Sequence, residues 1–284
     1  MKRKKNCIIS LPISRKDTFI QTYKNNFLFL IKLSLLVSIF IIPIIAFIVA
    51  SSLLEGGIIY ANNGNEMAQW LALLKFRRVF SWALPPCIVI LCFGLVGGLY
   101  VCKRSVENDG VILVQDFFLG IKNNFKRTLF LGLFYSLLIV LIRFANYLIE
   151  DTTLFFSFFC FAVLIQLILC ISLLYSISLS FSYETRFFES ISKGLLFTFM
   201  ELGNNLLMVL ITYGPLIVAA ILNLVLGNLT LLIYILFVLY IILGLGHSVL
   251  VISLMQHHIF DKRINKFYFK DHYHKGLFNG EQSE

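Results

Sequence analysis

Six long apolar runs divide the chain, and short segments rich in Lys and Arg separate most of them. Each run exceeds the about 18 consecutive apolar residues that mark a membrane-crossing helix. At a rise of about 1.5 Å per residue, each run is long enough to cross a hydrocarbon core of ~30 Å. The six predicted spans are Phe27–Leu54, Val79–Val101, Leu129–Ile149, Leu154–Phe181, Leu206–Leu226 and Leu229–Leu254.

The apolar runs are continuous, whereas the strands of a membrane β-barrel alternate between apolar and polar residues. The stretch LLVSIFIIPIIAFIV, residues 35–49, shows no such alternation. A helix satisfies its own backbone N–H and C=O groups in lipid, so helices are the expected spanning structure. The composition agrees, because only 14% of the residues are charged, against about 25% in soluble domains. The sequence therefore predicts an all-α integral membrane protein with six transmembrane helices.

A short phrase recurs before the odd-numbered spans. Phe19–Phe27 and Phe117–Phe125 both read F-x4-K-N-N-F, and Phe188–Lys193 keeps F-x4-K, with Asn204 and Asn205 following. The recurrence divides the chain into three units, each made of a lead-in helix, a span, an outer turn and a second span. We expect three consecutive hairpins introduced by cytoplasmic interfacial amphipathic helices.

The lead-in segments have an apolar and a cationic side. In Val111–Lys126, apolar residues recur at steps of three and four, while Gln115 and Lys122 occupy another face. Such helices rest in the headgroup plane, with aromatic rings in lipid and lysines at the phosphates. We expect each Asn pair to mark the bend into the span; the alternative is an ordinary basic loop. The predicted interfacial anchors are Phe19, Lys24, Phe27, Phe117, Phe118, Ile121, Lys122, Phe125, Phe188 and Lys193.

The distribution of cations orients the chain, because Lys and Arg concentrate in cytoplasmic loops. Most of the 24 Lys and Arg residues fall in the N-terminal segment, the second-to-third and fourth-to-fifth connections, and the C-terminal tail. Only Lys75, Arg77 and Arg78 fall on the other side, and we expect them on a short surface helix before the second span. Both termini are therefore predicted to be cytoplasmic.

This orientation also sets the predicted domains. Residues 1–26 form a basic cytoplasmic segment with an interfacial helix, 27–254 the six-helix transmembrane domain, and 255–284 a basic cytoplasmic tail. The formal net charge of +9 is explained by topology and by contact with anionic lipid headgroups, so no nucleic-acid partner is expected.

Few polar side chains lie within the predicted spans, and they define a candidate polar cavity. Arg143 is the one charge well inside a span, and Asn146 and Glu150 follow on the same helical face. Arg143 either binds an anionic ligand or extends toward the outer surface to pair with Glu150. His247, near the inner end of the sixth span, either titrates near neutral pH or makes a hydrogen bond between helices.

No motif for catalysis or cofactor binding is found. The chain has no Gly-rich phosphate loop, G-x-S-x-G, H-E-x-x-H or paired intramembrane carboxylates, so we expect neither an enzyme nor a cofactor. The tail residues His257, His258, Asp261, His272 and His274 are compatible with a metal cluster. A metal needs three or four converging ligands, so we interpret them instead as a solvated juxtamembrane helix and expect no metal.

Three segments carry a resemblance to a known family. They are LPPCIVILCFGLVGGLYVCKRSVENDG (Leu84–Gly110), DFFLGIKNNFKRTLFLGLF (Asp116–Phe134) and YETRFFESISKGLLFTF (Tyr183–Phe199). In them the chain resembles the YesL family, bacterial integral membrane proteins of uncharacterised function. It departs from the family in a long first loop and a basic N-terminal extension. The resemblance implies the bacterial cytoplasmic membrane and, since that family is often associated with carbohydrate ABC uptake, a role beside a sugar importer.

Three hypotheses of function follow. The first is a non-catalytic accessory or regulatory protein in a membrane assembly, with the bilayer and a sugar ABC importer component as partners. The second is a small-solute transporter or channel with a cavity near Arg143. The third, an intramembrane lipid-modifying enzyme, requires converging acid and base groups that the spans lack.

Overall fold

The computed structural model describes residues 12, 14–149, 155–183, 185–226 and 230–277. These ranges contain helices and no β-strand, so the all-α membrane fold is confirmed. The first half has the helices α1 (Arg15–Asn25), α2 (Phe27–Ala61), α3 (Glu66–Phe80), α4 (Leu84–Val106) and α5 (Leu113–Ile149). The second half has α6 (Phe155–Ser182), α7 (Phe187–Met200), α8 (Leu202–Leu226), α9 (Thr230–Leu239), α10 (Leu245–Phe260) and α11 (Lys266–Tyr268).

Five continuous helical stretches of the described chain are long and apolar enough to cross a membrane. They are Phe27–Ala61, Glu66–Val106, Leu113–Tyr147, Phe156–Ser182 and Ile235–Tyr268. A sixth crossing results if α7 and α8, which meet at a bend of 88°, count as one broken span. The protein is therefore a polytopic membrane protein with up to six crossings among the described residues.

The first lead-in is a separate helix, as predicted. Helix α1 begins with a capping box, in which Ser14 and Asp17 bond each other's backbone N–H groups. It ends at Asn25, and Asn26 separates it from α2, which begins at Phe27. The third lead-in also forms its own helix, α7, and the sharp bend to α8 lies at Glu201.

The second lead-in differs from its prediction. Helix α5 runs without a break from Leu113 to Ile149, so the expected bend at Asn123 and Asn124 is wrong. Its 37 residues give a length of about 55 Å at 1.5 Å per residue, far more than a hydrocarbon core of ~30 Å requires. The lead-in part therefore belongs to the same helix as the span.

Close packing against α4 explains why α5 is not interrupted between the lead-in and the span. A Cβ atom on Gly120 would lie 2.7 Å from the Tyr100 Cβ, and one on Gly97 would lie 2.9 Å from the Phe117 ring. The two helices therefore approach each other as closely as glycine allows, along the lead-in as well as the span. Phe117 fills this contact and is fully buried.

Polar contacts join α5, α6 and α7. The Tyr135 hydroxyl bonds Ser172 Oγ at 2.6 Å and Ser176 Oγ at 3.0 Å, and Ser176 Oγ donates to the Ser190 carbonyl oxygen at 3.0 Å. All four residues are buried. Small residues let membrane helices approach, and their hydroxyls add hydrogen bonds between them.

A π-helical segment, Tyr240–Gly244, precedes α10 and is completed by a side chain from α2. Ser34 Oγ accepts the Gly246 N–H at 2.6 Å and donates to the Leu243 carbonyl oxygen at 3.2 Å. A side chain on Gly246 would collide with the Leu30 carbonyl oxygen, so only glycine permits this contact. The hydroxyl of Ser34 satisfies backbone groups that the wider turn leaves free.

The C-terminal tail is folded. The helix does not end near Leu254 but continues through α10, a second π segment Asp261–Asn265 and α11. Asp261 and Asn265 are buried, as is Leu277 near the end of the described chain. The tail thus packs on the bundle through these buried residues, while residues 266–272 are exposed.

Candidate functional site

The helices define two ends of the bundle that carry different charged groups. We call the end formed by α1, the α4–α5 connection and the tail the basic face. The opposite end, which holds Glu55, Arg77 and Arg143, is the far face. The candidate sites are a cavity at the far face, and a groove and a folded platform at the basic face.

The far-face cavity has a volume of about 390 Å³ and gathers residues from α3, α5 and α6. Its lining residues are Arg77, Arg143, Asn146, Tyr147, Phe159, Val163 and Gln166. Arg143 and Asn146 both line this cavity, and both are half-buried. Glu150, the third predicted member, lies outside the described residues.

Charge in the far-face cavity is positive. Glu55 of α2 accepts two bonds from Arg77, at 3.2 Å to its Nε and 3.1 Å to its Nη2, and so offsets that cation. Arg143 has no ion-pair partner within the described ranges. With the amide groups of Asn146 and Gln166 nearby, the cavity can receive a small anion by charge and hydrogen bonds.

His247 lies elsewhere and connects helices. Its Nδ1 accepts a hydrogen bond from the Tyr23 hydroxyl of α1, and its Nε2–H donates to the Ile211 carbonyl oxygen of α8 at 3.4 Å. The rings of Tyr23 and Phe19 contact the imidazole edge-on, at centroid distances of 6.0 and 6.1 Å. The arrangement corresponds to the interhelical alternative, and His247 is no part of the far-face cavity.

The basic-face groove lies between α4, α5 and α6 and has a volume of about 860 Å³. Its lining residues are Tyr100, Lys122, Asn123, Asn124, Phe125, Lys126, Arg127, Ser180 and Phe181. Three of these are cations and none is acidic. Arg127 Nη1 donates to the Ser180 carbonyl oxygen at 2.9 Å, which fixes the guanidinium at the rim. The phrase FLGIKNNFKR therefore forms the wall of a groove.

The predicted interfacial anchors have different environments. Phe117 lies in the core and contacts no lipid, because it fills the space beside Gly97. Phe19 and Ile121 are half-buried. The others are exposed, namely Lys24, Phe27, Phe118, Lys122, Phe125, Phe188 and Lys193.

Ion pairs and hydrogen bonds hold the tail against the basic face. Arg15 of α1 binds the Asp261 carboxylate at 2.9 Å and the Lys275 carbonyl oxygen at 3.1 Å. Asp261 also accepts from Asn265, whose side-chain oxygen accepts from the Tyr183 hydroxyl at 2.7 Å. We call Asp261–Leu277, together with these contacts, the basic-face platform.

A second set of bonds joins the end of the platform to the α4–α5 connection. Lys275 Nζ contacts Glu107 at 2.8 Å and Asp109 at 3.0 Å, and Asn108 donates to the Gly276 carbonyl oxygen at 2.9 Å. Burial lowers the pKa of Lys275, but the hydrogen bonds and charges of the two carboxylates outweigh it and raise the pKa overall. Gly276 has a φ of +81°, a conformation that favours glycine.

The tail histidines are not gathered into a group of metal ligands within the part of the chain that the structure describes. The Asp261 carboxylate is already occupied by Arg15 and Asn265. In the described part of the chain, no three His, Cys, Asp or Glu side chains come close enough to hold a metal ion.

Sequence reasoning missed two parts of these sites. From sequence, Arg77 is only one of three cations on the side of the membrane where few cations are expected. That unusual position is itself a sign of a carboxylate partner, which the structure identifies as Glu55. The platform gave no such signal, because the bonds that hold it to α1 and to the α4–α5 connection join residues separated by more than 160 positions. Comparisons with protein-family models, with curated proteins and with solved structures found no match.

Proposed function

We propose that this protein is a non-catalytic accessory or regulatory component of a membrane assembly, such as a sugar ABC importer, in the bacterial cytoplasmic membrane. The observation that carries the proposal is the basic-face platform, which holds two exposed aromatic side chains beyond the bundle. Phe267 is 65% exposed and Tyr268 is 79% exposed. The orientation expected from the cations places this platform and both termini on the cytoplasmic side.

The platform has the properties of a protein-docking surface. Aromatic side chains are enriched in protein interfaces and contribute much of their binding energy. The ion pairs of Arg15 and Lys275 hold the platform in one conformation, so docking costs little further ordering. Lys266 Nζ lies 5.9 Å from the centroid of the Phe267 ring, and Lys270 follows two residues after Tyr268. These cations favour an acidic partner surface.

Site-specific photo-crosslinking in cells tests the accessory role. A photo-reactive phenylalanine at Tyr268 should give one protein adduct, identified by mass spectrometry as a membrane-assembly component. The same residue at Leu53, which is 71% exposed on α2 toward the far face, is the matched control and should give no such adduct. Equal adducts at both positions, or only lipid adducts at Tyr268, would contradict the proposal.

A second candidate function, binding and movement of a small anionic solute, is favoured by the far-face cavity. Its support is the half-buried Arg143, which faces the cavity beside Asn146 and Gln166. A solute carboxylate or phosphate could accept from the guanidinium, which binds such groups in a two-pronged geometry.

Flux into proteoliposomes distinguishes the two functions. If the cavity carries solute, Arg143→Gln should lower the uptake of small carboxylates at least tenfold. Arg78→Gln, which removes an exposed cation of α3 outside the cavity lining, should leave uptake unchanged. Uptake that survives the Arg143 substitution, or equals that of empty liposomes, would remove this function.

A further inference from the structure

We infer that the basic-face groove binds an anionic phospholipid, with its phosphate between Lys122, Lys126 and Arg127 and its acyl chains along α5. This site is separate from the platform and from the far-face cavity, so it stands whichever function above is correct. Three features carry the inference: the charge of the groove, the apolar surface that continues from it, and its size.

The charge of the groove suits a phosphate. Lys122, Lys126 and Arg127 fall at positions i, i+4 and i+5 of α5, and no acidic side chain lines the groove. Because the Ser180 carbonyl oxygen takes only Nη1 of Arg127, the other N–H groups of the guanidinium are available to a ligand.

An apolar track continues from the cations along the same helix face. Phe130, Leu133, Leu137 and Leu141 follow Lys126 at steps of three and four residues, and all four are exposed. The distance from Lys126 to Leu141 is about 22 Å at 1.5 Å per residue, longer than one leaflet of a ~30 Å hydrocarbon core. A ligand with an anionic head and long apolar chains contacts both the cations and the apolar track. Free phosphate would contact only the cations.

The size and position of the groove agree with a lipid headgroup. Its volume of about 860 Å³ exceeds what a single phosphate needs and accommodates a glycerol backbone or a second phosphate. Basic pockets between transmembrane helices are known binding sites for anionic lipid headgroups. Aromatic rings line the groove beside the cations, and Phe125 stacks on Phe93 at 4.9 Å, which presents a firm apolar rim.

The test is native mass spectrometry of the full chain, delipidated in detergent and mixed with defined probes. The probes are phosphatidylglycerol, phosphatidylcholine with the same acyl chains, and glycerol 3-phosphate. Phosphatidylglycerol should bind at least tenfold more tightly than either of the others. The triple variant Lys122→Gln, Lys126→Gln, Arg127→Gln should abolish this preference.

A matched triple variant, Lys262→Gln, Lys266→Gln, Lys270→Gln, removes the same charge from the platform and should keep the preference. A double variant of the track, Leu133→Asn, Leu137→Asn, should weaken phosphatidylglycerol binding several-fold without changing the binding of glycerol 3-phosphate. If the groove triple variant does not fold, two other measurements test the site. Lys126→Gln alone should lower the preference for phosphatidylglycerol over phosphatidylcholine. Raising the salt from 50 to 500 mM should lower the same preference in the native chain.

Each contrary outcome has a definite meaning. Equal binding of phosphatidylglycerol and phosphatidylcholine, or equal loss in both triple variants, would overturn the lipid site. Glycerol 3-phosphate binding as tightly as the lipid would reassign the groove to soluble phosphates. Loss of a co-purifying protein, instead of lipid, from the groove variant would reassign it to an acidic protein segment.

Discussion

The two copies of F-x4-K-N-N-F have different backbone structures, although they share the five fixed residues of the phrase. In the first copy a helix ends at Asn25 and another begins at Phe27, whereas the second copy lies inside the continuous helix α5. The amides differ as well. Asn26 is exposed, while Asn124 is buried and donates to the Gly120 carbonyl oxygen one turn earlier at 3.0 Å.

The difference comes from what each copy packs against. Gly120 lets Tyr100 of α4 approach the α5 backbone. Continuing α5 through the lead-in therefore buries surface on both α4 and α5. The first copy instead turns so that Tyr23 can reach His247. The variable positions of the phrase carry this difference, since Gly120 stands where the first copy has Thr22, and Ile121 stands where it has Tyr23. The shared residues K-N-N-F are compatible with a helix break in one place and an unbroken helix in the other, because tertiary packing overrides weak local preferences.

The largest expected effect comes from separating α5 from α4. Gly120→Val should destabilise the protein by about 3 kcal/mol, because the Tyr100 Cβ atom cannot move away from the added methyl groups. Gly203→Val, at a helical glycine with no atom within 4 Å of an added Cβ, is the control and should cost little. Thermal unfolding in detergent, followed by intrinsic fluorescence, measures both. Equal melting temperatures would show that the α4 contact does not hold α5.

A smaller effect is expected from the first turn of α5. The Asp116 carboxylate binds Arg104 and accepts the Ile112 N–H at 2.8 Å, and Asp116 is buried. Asp116→Ala should cost about 2 kcal/mol, because bonds to a charged group are lost and Arg104 is left unpaired. Asp116→Asn should cost less, and Glu189→Ala, which breaks the exposed pair with Lys193, should cost nothing measurable. Denaturation of the three variants ranks them; a neutral Asp116→Ala would disprove the importance of this pair.

The first copy should respond locally. Tyr23→Phe leaves His247 Nδ1 without a donor, a loss of about 1 kcal/mol. Amide hydrogen exchange in α1 should become about fivefold faster, while exchange in residues 113–126 of α5 should not change. Tyr60→Phe, at a side chain 84% exposed, is the control. Faster exchange in both lead-ins would mean that they form one cooperative unit.

The smallest effect concerns pH at the platform. The pKa of Lys275 is raised above its ordinary value of 10.5, so the folded protein binds this proton more tightly than the unfolded chain. The stabilisation is therefore complete below about pH 10.5 and is lost as the pH rises through the folded pKa. Lys275→Met should lower the melting temperature equally at pH 7 and 9, with a smaller difference above pH 10.5. A difference that grows with pH would contradict the assignment.

Hydrophobic pattern alone predicted most of the fold. The spans follow from the length of the apolar runs, and α1 and α7 follow from the recurrence of the lead-in phrase. The bend at Asn123 and Asn124 was mispredicted because the decisive contact, between Gly120 and Tyr100, joins two different helices. Of the far-face cavity, Arg143 and Asn146 were predictable because they share one helix face. The presence of Arg77 in the cavity could not be predicted, because its position depends on the ion pair with Glu55 in a neighbouring helix.

The ion pair between Arg15 and Asp261 joins two residues that are synthesised at very different times. Ribosomes add about 5–20 residues per second, so the 246 residues between these two side chains take roughly 12–50 seconds to synthesise. During that interval α1 has emerged but its docking surface has not. The newly made helix must wait at the membrane, and its ion pair with the tail forms only after Asp261 has left the ribosome.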